Sequence, residues 1–221
     1  MTLSKEQCRE IIARRIAREL REGDVITLGI GLPTEVANYI PEDMHIVLHS
    51  ENGIIGGGKI DINAPGDAKI INAGGQPITA LSGAAFFDTA ASFAIIRGGH
   101  VDVAVMGALQ VDSHGNLANW MIPGAFVPGI GGAMDLAIGA KRVIIAMEHT
   151  TPKGNSRIVK DCSFPLTAEH EVNMIVTERC VIDVTPKGLL LKEINPNFSL
   201  SDVVNATEAD LIVPESIANR F

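Results

Sequence analysis

Glu51 is the residue whose surroundings best suit it to chemistry. It stands in Ser50-Glu51-Asn52-Gly53, after the apolar run His45-Ile-Val-Leu48. Such a run reads as a buried strand, and Asn-Gly accepts the positive φ values that most residues avoid. The carboxylate therefore falls at the lip of a strand, where open α/β sheets place their ligands. Most Glu residues beside an Asn-Gly turn are solvated turn residues, and the local sequence leaves both readings open.

Glycine clusters offer the second kind of chemistry. Gly129, Gly131 and Gly132 precede Ala133-Met-Asp-Leu136, which reads as a short helix. Backbone N–H groups at such a junction can hold an anion or a developing oxyanion. A tight connection where only glycine fits explains the same residues. Gly29-Ile-Gly31-Leu-Pro33-Thr34 resembles half a dinucleotide fingerprint, with Thr34 where the third glycine belongs. It reads as a close-approach turn near a ligand rather than an NAD site. Gly56-Gly-Gly-Lys59 is not a phosphate loop, because no Ser or Thr follows Lys59.

Other constellations fail. Of six histidines, only His45 and His49 have i, i+4 spacing, on an expected strand and without a His-Glu-x-x-His pattern, so no metal site is expected. No Gly-x-Ser-x-Gly elbow is present. Cys8, Cys162 and Cys180 are scattered, with no Cys-x-x-Cys pair. They imply no disulfide framework and suit a reducing cytoplasm.

The elements that would position these residues alternate between helix and strand. Ser4 and Gln7 form a capping box for a helix from Ser4 to Glu22, ended by Gly23, with Cys8, Ile12, Ile16 and Leu20 as its apolar stripe. Strands are expected at Val25–Ile30, His45–Leu48, Lys69–Asn72, Val101–Met106, Arg142–Met147, Met174–Thr177, Val181–Val184 and Leu211–Val213. Pro186-Lys-Gly188 turns the chain into a hairpin arm at Leu189–Ile194. Helices are expected at about Pro33–Tyr39, from an Asp88 cap to Arg97, and at Ser201–Ala206; residues 61–67, 110–116, 123–132 and 151–155 read as loops. Trp120 reads as a packing anchor.

Composition agrees with an α/β fold. Hydrophobic residues make up 46% of 221, yet aromatics only 4%, so the core is aliphatic, and 22 Gly favour helices packed closely on a sheet. One domain over residues 1–221 is expected. The net charge of −8 excludes a general nucleic-acid binder, which needs clustered cations. No apolar run approaches the roughly 18 residues of a membrane span, so a soluble, cytoplasmic protein is expected.

Six motifs follow one another along the chain. They are Leu28-Gly-Ile-Gly-Leu-Pro33, Ser50-Glu-Asn-Gly53, Ile96-Arg-Gly-Gly-His100, Leu117-Ala-Asn-Trp120, Gly131-Gly-Ala-Met-Asp135 and Pro165-Leu-Thr167. Each is weak alone. As an ordered set covering nearly the whole chain they resemble the B (β) subunit of class I CoA-transferases, of the short-chain 3-oxoacid, acetate or butyrate–acetoacetate type. The resemblance implies an open, mainly parallel sheet flanked by helices, related to sugar-phosphate isomerases. It implies that Glu51 is the nucleophile, passing through a glutamyl-CoA thioester in ping-pong catalysis. By matched position it puts oxyanion or CoA contacts at Gly131 and Gly132. Gly29, Gly31, Gln110 and Asn119 are the candidates for the substrate pocket.

The resemblance also implies an A (α) subunit partner in a hetero-oligomer, acyl-CoA and a short-chain carboxylic acid as substrates, and no tightly bound cofactor. An acyl-CoA hydrolase using the same glutamate, or a non-catalytic metabolite-binding relative, are the alternatives. Two departures stand out. Ala125 follows Pro-Gly where many relatives have Lys, and Gly56-Gly-Gly-Lys59 replaces a Gly-Leu-Gly-Pro-like run. Both are expected in loops.

Overall fold

The computed structural model describes residues 3–60, 70–125, 127, 129–217 and 221, with backbone alone for 59 and 60. Ten strands form one sheet, in the order β13-β12-β11-β10-β8-β5-β1-β2-β3-β4. Its centre is parallel: β10 (Val172–Val176), β8 (Arg142–Ala146), β5 (Val103–Met106), β1 (Val25–Leu28) and β2 (Val47–Ser50). These strands are short and nearly continuous in Val, Ile, Leu and Ala, as suits strands covered on both faces. On one flank β11 (Cys180–Thr185) and β12 (Gly188–Ile194) form the expected antiparallel hairpin, followed by β13 (Leu211–Ile212). On the other, β3 (Ile54–Ile60) and β4 (Ile78–Phe86) run antiparallel out to the edge.

Alternation along the strands separates two apolar layers. One holds Ile26, Val103, Val105, Ile144, Ala146, Met174 and Val181 and is covered by α1 (Lys5–Ala17) and a 3-10 helix at Leu32–Tyr39. Ile12 and Ile16 of α1 are fully buried there, each worth about 1.5–3 kcal/mol of apolar burial. The stripe of α1 therefore packs on its own sheet. The opposite layer holds Ala104, Met106, Val143, Ile145, Ile175, Ile182 and Leu191. It is covered by α2 (Thr89–Arg97), α3 (Ala133–Gly139), α4 (Leu200–Ala206) and a small sheet of β7 (Leu117–Ala118), β6 (Gln110–Asp112) and β9 (Ile158–Val159).

Several boundaries differ from expectation. Both halves of the capping box form, Ser4 N–H to Gln7 Oε1 at 2.8 Å and Gln7 N–H to Ser4 Oγ at 3.2 Å. The helix nevertheless stops at Ala17, not Glu22; Leu20 stays buried in the turn that follows, and Gly23 at φ 85° closes that turn rather than the helix. The second strand starts at Val47, which leaves His45 exposed outside it while His49 is buried, so the two share no site. Gly56-Gly-Gly-Lys59 is strand, not loop. Residues 70–72 form only an isolated bridge, Ile71 to Pro77, and Lys69 with the expected loop at 61–67 lies outside the described residues. Gln110–Asp112 is a strand, and β4, β7 and β9 were not expected.

An added residue in β12 sets one detail of the layers. Ile182 faces Leu191 but Val181 faces Glu193, so Lys192 bulges from the ladder. Glu193 is thereby turned onto the α1 face, where Arg15 meets it with two bonds of 2.7 Å. No helix among the described residues is long and apolar enough to cross a membrane.

Candidate active site

From β1 the chain steps to β2 on one side and to β5 on the other, and open α/β sheets bind ligands outside the carboxyl ends of the strands at such a reversal. Gly29 leaves β1 there with its N–H on Val105 O at 2.8 Å. A Cβ at Gly29 would lie 3.2 Å from that oxygen, so the glycine permits the close approach of two strand ends. Gly31, at φ 94°, opens away from contacts and lines a cleft with Arg9, Ile30 and Asn38.

Glu51 follows β2 directly, in a turn held from several sides. Gly53 N–H donates to Ser50 O at 3.0 Å and Phe87 N–H to Gly53 O at 3.0 Å. Asn52 Nδ2 donates to Ile71 O at 2.7 Å, and Ser50 Oγ accepts Ala73 N–H at 2.9 Å. Gly53 has φ 120°, and any Cβ there would run into the Phe87 carbonyl oxygen, so only glycine fits. Ser50, Asn52 and Gly53 thus each brace the turn that carries Glu51.

The Glu51 side chain is half-buried, and desolvation pushes its carboxyl above the ordinary carboxylate range, against a backbone hydrogen bond that acts to lower it. Among the described residues no cation is paired with it. Its Cγ lies 3.9 Å from where a Cβ of Gly132 would stand. The Phe93 ring of α2 fills the rest of that space, 2.8 Å from the same point. Gly132 therefore admits a backbone between an aromatic ring and the carboxylate. Gly131 has φ 54°, and among the described residues no acceptor meets the N–H of Gly131 or Gly132.

Helix α2 brackets this arrangement. Asp88 caps it by accepting Ala91 N–H at 2.8 Å. Ser92 Oγ meets His49 Nε2 at 3.1 Å, while His49 Nδ1 meets Thr27 Oγ1 at 3.0 Å and its ring stacks on Phe87 at 6.1 Å. Burial lowers the His49 pKa, so this ring is a neutral tie between β1, β2 and α2. Farther along α2, Arg97 binds Asp135 of α3 at 2.6 Å, and Gly139 lets α3 close on the Ile96 carbonyl. The Ile96–His100 and Gly131–Asp135 motifs are thereby joined in space.

The remaining motifs brace a neighbouring loop. Asn119 Nδ2 donates to Gly107 O at 3.2 Å, beyond the end of β5, and Asn119 Oδ1 accepts Thr167 Oγ1–H at 2.7 Å. Trp120 Nε1 donates to Leu166 O at 3.3 Å, so the tryptophan is an anchor. Gln110 Oε1 accepts from the N–H groups of Ser163 and Phe164, at 2.9 and 3.2 Å. Both amides are thus engaged within the protein. Cys162 and Cys180 are pushed up to about 12 chiefly by burial, which leaves them as thiols.

The sequence carries no local sign of where Phe93 sits or of the linking role of His49. The spacing from Asp88 to Phe93 puts that ring in the first turns of α2. No local pattern reveals that a glycine from 39 residues farther on must pass it.

A family model for coenzyme A transferase matches residues 9–206. The beta subunit of the acetate CoA-transferase of Haemophilus influenzae is 52% identical over 207 residues, covering 94% of this chain and 92% of its own length. The B subunit of a probable succinyl-CoA:3-ketoacid coenzyme A transferase of Bacillus subtilis is 44% identical over 214 residues, covering 97% and 99%. Among solved structures, the acyl-CoA transferase of Escherichia coli O157:H7, in a thioester complex with CoA, superposes with a TM-score of 0.75 at 22% identity. That match covers 97% of this chain and 43% of the other, which is more than twice as long.

Proposed function

Since the chain belongs to the coenzyme A transferase family, we propose that it is the B half of a two-subunit enzyme moving CoA between short-chain acids, with Glu51 as nucleophile. One observation carries the assignment: a half-buried carboxylate with a raised pKa, at the carboxyl end of a central parallel strand, lies against Gly132. Relatives named for acetate and for 3-ketoacid transfer support small carboxylic acids as substrates.

In the proposed reaction the Glu51 carboxylate attacks the acyl carbon of an acyl-CoA. The C–S bond breaks, giving an acyl-glutamyl anhydride and CoA thiolate. The thiolate attacks the glutamyl carbonyl, releasing the first acid as its carboxylate and leaving a glutamyl-CoA thioester. The second acid's carboxylate attacks that thioester, re-forming an anhydride and thiolate. Attack of the thiolate on the new acyl carbon yields the new acyl-CoA and restores Glu51. No proton is required at any step. A desolvated carboxylate is the better nucleophile, and the N–H groups of Gly131 and Gly132 face the oxyanions that develop. CoA is the substrate and holds no permanent place; its remote contacts supply binding energy used at the reacting tip.

The A subunit completes this site. The test mixes the A and B chains with acyl-CoA and traps the intermediate with borohydride or hydroxylamine. An adduct at Glu51 is expected; turnover without one there removes Glu51 from the mechanism. Comparing CoA transfer with CoA release, with and without acceptor acid, separates a transferase from a hydrolase.

A further inference from the structure

The strand at one edge of the sheet is built unlike the rest of the molecule. β4 reads Ile-Thr-Ala-Leu-Ser-Gly-Ala-Ala-Phe over residues 78–86 and has no charged residue. Its burial is also unusual. Ile78 is buried and Ala84 is half-buried, but the other seven residues are exposed, on both faces of the strand. Antiparallel strands at a sheet edge ordinarily pack one face on the core and protect the free edge with charge, proline or shortness. β4 does neither, and Leu81 and Phe86 remain 52% and 61% exposed.

The arm is shaped rather than merely left bare. Ala85 faces Ile55 and Ala80 faces Gly57, so residues 81–84 stand opposite Gly56 alone. This large bulge includes Gly83 at φ 89° and interrupts the ladder. A visiting strand cannot pair along the whole edge, so any partner must read the protruding side chains. Gly56 makes the bulge fit, since a Cβ there would stand 3.0 Å from Ala84 Cα.

The arm is also continuous with the proposed site. Phe86 pairs with Ile54, three residues after Glu51, and the Phe87 carbonyl occupies the space beside Gly53. At its other end Ile78 follows the turn at 71–77, which is bonded to Ser50 and Asn52. Ile30, 68% exposed, lies against the same turn, 3.7 Å from where a Cβ of Gly74 would stand. A body seated on β4 would therefore also border the Glu51 turn. The opposite edge offers no equivalent: β13 has two residues and lies far along the sheet order from β2.

Building on the proposed pairing with an A subunit, we infer that the β4 arm, centred on Leu81 and Phe86, is the surface on which that subunit docks. The occupant is the A subunit rather than a second copy because the relatives are named as beta or B subunits, the acyl-CoA transferase chain that superposes on this one is more than twice as long, and the arm is joined to the turn that carries the proposed nucleophile. Docking there would cover the bare arm and wall the site in one event. The contact is an apolar one made by side chains.

The test measures binding of the cognate A subunit to purified chain. Leu81→Lys combined with Phe86→Lys is expected to weaken association at least 100-fold, with the melting curve of the isolated chain unchanged because both residues are exposed. Leu200→Lys with Val204→Lys, exposed on α4 far from the arm, is expected to bind normally. Amides of residues 79–86 should exchange quickly in the isolated chain and slowly in the complex. Unaltered binding by the β4 variant, or unprotected β4 amides in the complex, overturns the docking surface while leaving the proposed reaction standing. A self-dimer of the isolated chain broken by Leu81→Lys assigns the arm to a second copy. If the wild-type chain binds no A subunit, the pairing itself falls, and the docking surface with it.

Discussion

Two glutamates of this chain, Glu19 and Glu51, are treated in opposite ways. Glu19 lies in the turn just beyond α1, in a network with Arg15, Arg142 and Lys192, at 2.8, 2.6 and 3.8 Å. Desolvation acts to raise its pKa, but hydrogen bonds from Arg142 and Arg15 outweigh it and hold the carboxyl below the ordinary range. Glu51 is desolvated as well, yet no cation answers it among the described residues, and its carboxyl is raised. The same side chain is compensated by cations in the Arg15 and Arg142 network and left uncompensated at the proposed nucleophile. Perturbed carboxylates occur in both structural networks and active sites, and the two shifts here have opposite signs.

The largest effect that would break this contrast is on turnover. Glu51→Gln should lower CoA transfer by about 10^4-fold or more, the scale on which loss of a covalent nucleophile acts, while its melting temperature at neutral pH rises. Retained activity in steady-state assays would make Glu51 another structural acid. The mirror experiment concerns stability. Glu193→Ala leaves the buried Arg15 guanidinium with Glu19 alone, and should cost about 3 kcal/mol in denaturant unfolding, with activity per folded molecule preserved. Arg15→Met with Glu193→Leu should recover most of that loss, as apolar replacements of buried pairs do.

Next in size is the glycine beside the carboxylate. Gly132→Ala places a methyl group against the Phe93 ring and should reduce turnover by about 10^2-fold through displacement of the loop. Adding Phe93→Leu should restore part of it, as measured by kcat.

The smallest effect sharpens the comparison through pH. With its folded-state pKa raised, Glu51 binds protons more tightly in the native state, so its charge destabilises the fold as pH climbs from the ordinary value of 4.5 through the raised one. The stability gained by Glu51→Gln should therefore be absent in acid and open with rising pH. Glu19 has the reverse sign. Its contribution is present above 4.5 and lost as pH falls through its lowered pKa. The penalty of Glu19→Gln should accordingly vanish in acid. Urea unfolding of the variants from pH 3 to 8 reads both curves.

Much of this was legible from residue patterns. The capping box at Ser4, the Asp88 cap, β8 and the hairpin at Pro186-Lys-Gly188 all follow local rules that tertiary contacts did not override. The strand leading to Glu51 is legible, though the structure shifts it by two residues, from His45–Leu48 to Val47–Ser50. β4 was invisible for a physical reason. Alternation reports one buried face and one wet face, and a strand exposed on both has no period to detect. The end of α1 misled because Leu20 continues the apolar spacing although the chain has already turned. Gln110 and Asn119 have the right types for a pocket, but loop positions 48 or more residues farther on engage both amides, and no local window contains those partners. The pairing of Gly132 with Glu51 spans 81 residues and came from the ordered motifs, not from either segment alone.

The bulge at Lys192 has a consequence for the chain as a text. A strand is read in twos, inward and outward, so one additional residue acts as a frameshift in facing. Up to Leu191 the odd positions face the α2 and α4 layer; after Lys192 the frame changes, Glu193 turns to Arg15 and Ile194 returns to the apolar side. Lys192 is therefore the one residue of β12 whose removal would leave every neighbour's facing intact, at the loss of its own contacts with Glu19 and Asp183. Loss of Leu191 or Glu193 instead forces the remainder of the strand to choose between its ladder and its layers. Length changes in this strand are decided by parity, and a substitution table cannot anticipate them.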